Sequence, residues 1–179
     1  RVIEFMMNFG KSLGLETMKD QIGNVIIRKP ASPSMEGRKM VILQSHLDMV
    51  HQKNRETEFD FDKEGIKMRV NGDWIDADGT TLGADNGIGV ATIMATLSAT
   101  DIDHPALEAF FTVDEETGMT GAKEMDGAMF QGEILLNLDT EDDDELSIGC
   151  AGGIDTNTAY NYQEEELTGD RKTFQLNIK

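Results

Sequence analysis

Three largely apolar runs, residues 40–45, 107–113 and 134–138, each end directly on a histidine or a carboxylate: His46, Asp114 and Asp139. Runs this continuous are expected of strands buried on both faces, as in parallel sheets covered by helices. Helical spacing fills the segments between. Over residues 86–99, Ile88, Ala91 and Ala95 with Ile93, Met94 and Leu97 predict a helix with one broad apolar face. A second helical stretch is predicted at 120–129. Upstream, a helix opens the chain and stops near Gly14, residues 24–28 read as a strand, 51–72 are polar and turn-rich, and 74–77 form a short strand. The alternation predicts an α/β fold: a layered, mostly parallel sheet flanked by helices.

With 39% hydrophobic residues and only 3 prolines in 179, the chain has the material for a packed core. Asp and Glu number 34 against 16 Lys and Arg, a formal charge of −18. That balance argues against nucleic acid as a partner, since phosphates need a basic face. Anionic membrane surfaces are disfavoured by the same repulsion, and no apolar run approaches bilayer-spanning length. The single cysteine, Cys150, excludes an internal disulfide and fits a cytoplasmic location. The 11 methionines read as core filler. Arg1 opens inside a helical pattern and 174–179 alternate like a strand, so the chain reads as a piece of a longer protein. Composition shifts after Asn157, so residues 1–156 are expected to belong to one domain and 157–179 to begin another.

The chemistry-bearing residues sit at equivalent places. His46-Leu-Asp48, Asp114-Glu115-Glu116 and Asp139 each follow an apolar strand, and Asp85-Asn86 opens the helix of residues 86–99. The carboxyl ends of parallel strands form the crevice in which ligands bind. Carboxylates and an imidazole gathered there would be held together most simply by a divalent metal. His46 and Asp48, two apart in extended backbone, project to one side, so the imidazole could ligate while Asp48 orients a neighbour. Asp85 is favoured at a helix N-terminus. In extended backbone the adjacent Glu115 and Glu116 would point apart, one suited to metal and the other to a proton. Each has a plainer solitary explanation: a helix cap for Asp85, a solvated strand end for the glutamates, a satisfied core histidine for His46, a surface acid for Asp139. Their joint placement favours the metal. His51 and His104 lack such a context and read as surface residues. Trp74 falls at the first ligand position of the only calcium-loop-like stretch and excludes that loop. Residues 83–89 lack the Gly-Lys-Ser/Thr ending of a phosphate loop.

Five segments carry a wider resemblance: Asp20-Gln-Ile-Gly-Asn-Val-Ile-Ile-Arg-Lys-Pro30, Leu43-Gln-Ser-His-Leu-Asp-Met-Val50, Gly79-Thr-Thr-Leu-Gly-Ala-Asp-Asn-Gly-Ile-Gly89, Glu115-Glu-Thr-Gly-Met119 and Ile148-Gly-Cys-Ala-Gly-Gly153. Over residues 2–154 the chain resembles the zinc-dependent M20 metallopeptidases, and within them the aminoacyl-histidine dipeptidases of bacteria. The resemblance implies His46, Asp85 and Asp139 around one Zn2+, with Asp85 bridging to a second Zn2+ that Glu116 also binds. It implies Glu115 as the general base and Asp48 as the orienting catalytic residue behind the site. Mn2+ or Co2+ are possible substitutes. A dipeptide substrate of the Xaa-His type and a cis peptide bond at Asp85-Asn86 are implied likewise. So is a homodimer of the full-length protein, whose lid and dimerisation domain begins within residues 157–179. In the family a further histidine, from a later part of the catalytic domain, completes the second zinc site. The resemblance therefore implies an active parent enzyme and an inactive isolated chain. A catalytically inactive α/β metal-binding module is the competing expectation.

Overall fold

The computed structural model describes residues 1–140, 144–149, 152–154, 156–164, 166, 169–170, 172 and 174–176. They fall into two units, Arg1–Asp143 and Asp144–Lys179. Along the first unit, α1 (Val2–Ser12) leads into β1 (Glu16–Lys19), β2 (Val25–Lys29) and β3 (Val41–His46). Then follow β4 (Met68–Asn71), β5 (Trp74–Ala77), α2 (Ala84–Ser98), β6 (Leu107–Thr112), α3 (Thr120–Lys123) and β7 (Ile134–Asn137).

The sheet has the order β1-β2-β6-β3-β7. β3 runs parallel to β6 and β7, while β2 runs antiparallel to β1 and β6. The layered α/β architecture agrees with the sequence. The antiparallel β1–β2 edge is an addition, because Glu16-Thr-Met-Lys19 offers no apolar run. β4 also lies within the stretch expected to be turn-rich, and pairs with β5 across the Gly72-Asp73 loop. Its Met-Arg-Val-Asn alternation is too short to stand out from polar flanks.

Period-two alternation divides the core between the two faces of the sheet. Val25, Ile27, Leu43, Leu107, Ala109 and Phe111 point to the face covered by α1 and α2, where Met6, Ile93 and Leu97 meet them. Ile26, Ile42 and Phe110 point the other way, against Met125, Met129 and Phe130. Glu108 on that second face is fully buried. Arg28 Nε pairs with its Oε1 at 2.8 Å, and the amides of Gln131 and Gly132 donate to its Oε2 at 3.0 Å. A charge satisfied in this way can be tolerated inside. Phe111 is fully buried between β2 and β3, so Phe111→Ala in the full-length protein is expected to cost about 3–5 kcal/mol. A shift in the urea midpoint measures it.

Four sequence expectations need correction. The helix α2 buries Asn86, Gly89, Ile93 and Leu97, whereas Ile88 is 69% exposed and Ala91 and Ala95 face outward. The close approach of its first turns to the sheet fixes which stripe is inside. The helix expected over 120–129 is one turn, α3, followed by a 3-10 turn at Gly127–Met129 whose N-cap Asp126 accepts from the Ala128 amide. His104 is buried, not on the surface, with Nδ1 2.8 Å from the Pro105 carbonyl. β7 forms as expected, but as an edge strand its Ile134, Leu135 and Leu136 stay 42–54% exposed.

Among the described residues of the second unit there is no helix or strand. Cys150, Ala151, part of the acidic run after Asp139 (141–143) and residues 177–179 lie outside the described residues. No described helix is long and apolar enough to cross a membrane.

Candidate functional site

His46 is the last residue of β3, paired in register with Thr112 of β6, and its side chain is 1% exposed. Glu115 and Glu116 follow β6 and Asp139 follows β7, so these groups gather at the carboxyl ends of the three parallel strands. Asp85 arrives from the first turn of α2, where the Asp85-Asn86 peptide bond is cis.

His46 Nε2 lies 2.9 Å from Asp85 Oδ1 and 3.8 Å from Asp139 Oδ1. Ligand atoms of His46, Asp85 and Asp139 all fall within 4.8 Å of one another, as do those of His46, Glu115 and Glu116. The imidazole thus belongs to two acidic clusters at once, and Glu115 and Glu116, expected to point apart in extended backbone, instead sit in a turn that brings both carboxylates to His46. Its Nδ1 faces the Asp48 carbonyl at 3.0 Å and the Asp48 carboxylate at 3.5 Å. Both are oxygen acceptors, so Nδ1 carries a proton and Nε2 is turned to the carboxylates.

Asp48 does more than the sequence indicates. Its Oδ1 accepts the Glu115 amide and its Oδ2 the Glu116 amide, each at 3.1 Å. One side chain therefore ties the imidazole on β3 to the backbone of both glutamates. Asn86 arrives with Asp85, as the sequence indicates, and Ser45 joins it without having been singled out there. The Ser45 hydroxyl donates to Asn86 Oδ1 at 2.7 Å. The only sequence signal of Ser45 is a hydroxyl at the end of an apolar run. Asn86 Nδ2 is buried with no hydrogen-bond partner among the described residues. Gly89 allows this packing, because a Cβ there would lie 2.0 Å from Asn86 Oδ1, 2.6 Å from the Leu138 carbonyl and 2.8 Å from Ser45 Oγ.

Electrostatically the site is crowded with negative charge. Burial, and then the neighbouring carboxylates, raise Glu115 above the ordinary carboxylate range, with His46 opposing. Burial and the nearby Asp85 charge raise Asp139 in the same way, again against His46. For His46, burial favours the neutral ring, but the Asp85 hydrogen bond and the charges of Asp139, Asp48 and Glu115 outweigh it and raise the pKa.

An imidazole with four carboxylates converging on it forms a donor set that suits a divalent cation. Such a cation competes with protons for the imidazole and the carboxylates. Affinity for zinc is therefore expected to fall as pH drops from about 7.5 to about 5.5, with protons released on binding. Calorimetry in buffers of differing ionisation enthalpy reads both quantities, and a pH-independent affinity would contradict the expectation. Beside the cluster lies a groove of about 180 Å³ whose lining includes Glu115, Asp139, Phe110, Met119, Met125 and Leu135.

Residues 42–163 match the profile of Peptidase family M20/M25/M40. The whole chain is 44% identical over 179 residues to the cytosol non-specific dipeptidase of Escherichia coli (strain K12), of which it spans 37%. The crystal structure of aminoacylhistidine dipeptidase from Vibrio alginolyticus superposes with a TM-score of 0.76 at 45% identity, covering 78% of this chain and 28% of that one. Aminopeptidase PepT from Bacillus cereus ATCC 10987 superposes with a TM-score of 0.63 at 28% identity, covering 76% of this chain and 37% of that one.

Proposed function

The chain belongs to peptidase family M20/M25/M40, and from that premise we propose that it supplies the metal-binding part of a dipeptidase acting on Xaa-His dipeptides. The observation that carries this is the convergence of His46 with Asp85 and Asp139 and with Glu115 and Glu116, each set within 4.8 Å. His46, Asp85 and Asp139 would hold one zinc, and Asp85 and Glu116 a second, with Mn2+ or Co2+ as substitutes. A metal held by these residues would supply Lewis-acid polarisation of the scissile carbonyl and lower the pKa of water.

The remaining work falls to the protein's own groups. Glu115 takes a proton from water as the water oxygen bonds to the peptide carbonyl carbon. It returns that proton to the amine nitrogen as the C–N bond breaks. Its raised pKa suits a base that must hold the proton between the two steps. Asp48 fixes the Glu115 and Glu116 amides and the His46 ring together, so base and ligands keep their spacing.

Residues 1–156 would be part of the catalytic domain, and 157–179 the start of a lid and dimerisation domain in a cytoplasmic homodimer. The isolated chain, 37% of the length of its dipeptidase relative, is expected to hold well under two zincs and to turn over no dipeptide. Two zincs retained through dialysis, or steady turnover, would contradict this. The function itself is tested by giving the full-length protein a panel of Xaa-His and other dipeptides with zinc and with chelator. Preferential, chelator-sensitive cleavage of Xaa-His is expected. Cleavage without that preference would remove the specificity, and bound metal without any cleavage would indicate a non-catalytic metal-binding module.

A further inference from the structure

The turn Asp20-Gln-Ile-Gly-Asn24 leads into β2. Asp20 Oδ1 accepts the backbone amides of Ile22, Gly23 and Asn24 at 2.9, 2.7 and 2.9 Å, and its Oδ2 accepts from Asn24 Nδ2 at 2.7 Å. Asn24 is 0% exposed. Its carboxamide also reaches the segment that carries the two glutamates. Oδ1 accepts the Val113 amide at 3.1 Å, and Nδ2 donates to the Gly121 carbonyl at 2.8 Å. The Gly121 amide donates to the Val113 carbonyl at 3.1 Å, closing the loop at the same point.

That loop needs external support. Asp114 and Met119 within it hold φ of 58° and 53°, a left-handed conformation that non-glycine residues keep only where their surroundings fix it. Asp114 also takes the hydroxyls of Thr117 and Thr120, which ties the loop internally but not to the sheet. Lys123 just beyond it donates to the Gly118 carbonyl, and two side chains from distant parts of the chain anchor it. Asp48 holds the Glu115 and Glu116 amides, and Asn24 holds both ends.

We propose that Asn24, itself held by Asp20, is a positioning residue that sets where Glu115 and Glu116 stand relative to His46. The roles of the two glutamates rest on the peptidase assignment, whereas the clamp rests on geometry alone. A displacement of about 1 Å in such groups can cost on the order of 10²-fold in rate.

In the full-length protein, Asn24→Ala removes both anchoring bonds. Gly121→Ala leaves Asn24 in place but brings a Cβ to 2.4 Å from Asn24 Oδ1 and 2.4 Å from the Val113 carbonyl, forcing the clamp apart. Both variants are expected to lower kcat at saturating zinc by about 10²-fold, with KM within about twofold of wild type. Zinc should bind more weakly through Glu116, and amides 113–121 should exchange faster while α1 exchanges as before. Met6→Ala, in the core under α1, is the control that lowers Tm but not kcat. If both clamp variants lose Tm yet keep kcat, zinc affinity and the exchange of 113–121, the clamp is only structural and the proposal is overturned. Gly121→Ala decides alone if Asn24→Ala does not fold. If wild type cleaves no dipeptide, the peptidase assignment falls by itself. Zinc affinity and exchange then decide: unchanged values overturn the clamp, and weaker binding with faster exchange sustains it.

Discussion

Replacing Glu115 by glutamine in the full-length protein lowers kcat by about 10²–10⁴-fold, the range that general acid–base catalysis supplies, and leaves bound zinc unchanged. The substitution keeps size and removes only the proton acceptor. The Glu115 amide still reaches Asp48, so the loop keeps its place. Glu116→Gln behaves differently, because a neutral carboxamide is a weaker ligand for a divalent cation than a carboxylate. Zinc binding weakens, and excess zinc restores part of the rate. Kinetics at saturating metal, paired with metal analysis of the same samples, separate the two. If Glu115→Gln empties the site while Glu116→Gln leaves it full, the two roles are interchanged.

His46→Ala has the widest consequences. His46 is the one residue common to both clusters, and its loss takes a neutral donor from a group otherwise made of carboxylates. Those carboxylates then face one another without the imidazole that now opposes the rise in the pKa of Glu115 and Asp139. Zinc affinity and kcat/KM should fall by more than the roughly 10–100-fold that follows loss of an outer-sphere partner. Asp48→Asn provides that comparison. It keeps one acceptor but sets an NH2 group against a backbone amide at the Glu115-Glu116 turn. Equal losses in the two variants would mean that His46 acts only as a support.

The site was more legible in the sequence than the sheet that carries it. His46 and Asp139 could be read because each ends an apolar run, and a strand's carboxyl end is a position that patterning can locate. Asp85 could be read because it opens a strongly apolar helix. β1 and β4 gave no such signal, being short, polar and at an edge or in a hairpin. The spacing of Ile88 permits it to lie inside. Which of two overlapping apolar stripes of α2 turns inward depends on the contact of Asn86 and Gly89 with Ser45 and Leu138. The partners of Asn24 lie 89 and 97 residues away. The double use of the Asp48 carboxylate joins residues 67 and 68 apart. Local periodicity carries no information about bonds of that range, so these two anchors emerge only from the folded chain.

The proposed metal centre can be located directly by anomalous diffraction at the zinc edge, on crystals of the full-length protein grown with zinc. One peak should lie about 2.0–2.2 Å from a nitrogen of His46 and from oxygens of Asp85 and Asp139. A second should lie about 3.5–4 Å from the first, shared between Asp85 and Glu116, with Glu115 bound to neither. A map with no peak among these residues, or with Glu115 as a ligand and Glu116 free, would contradict the assignment.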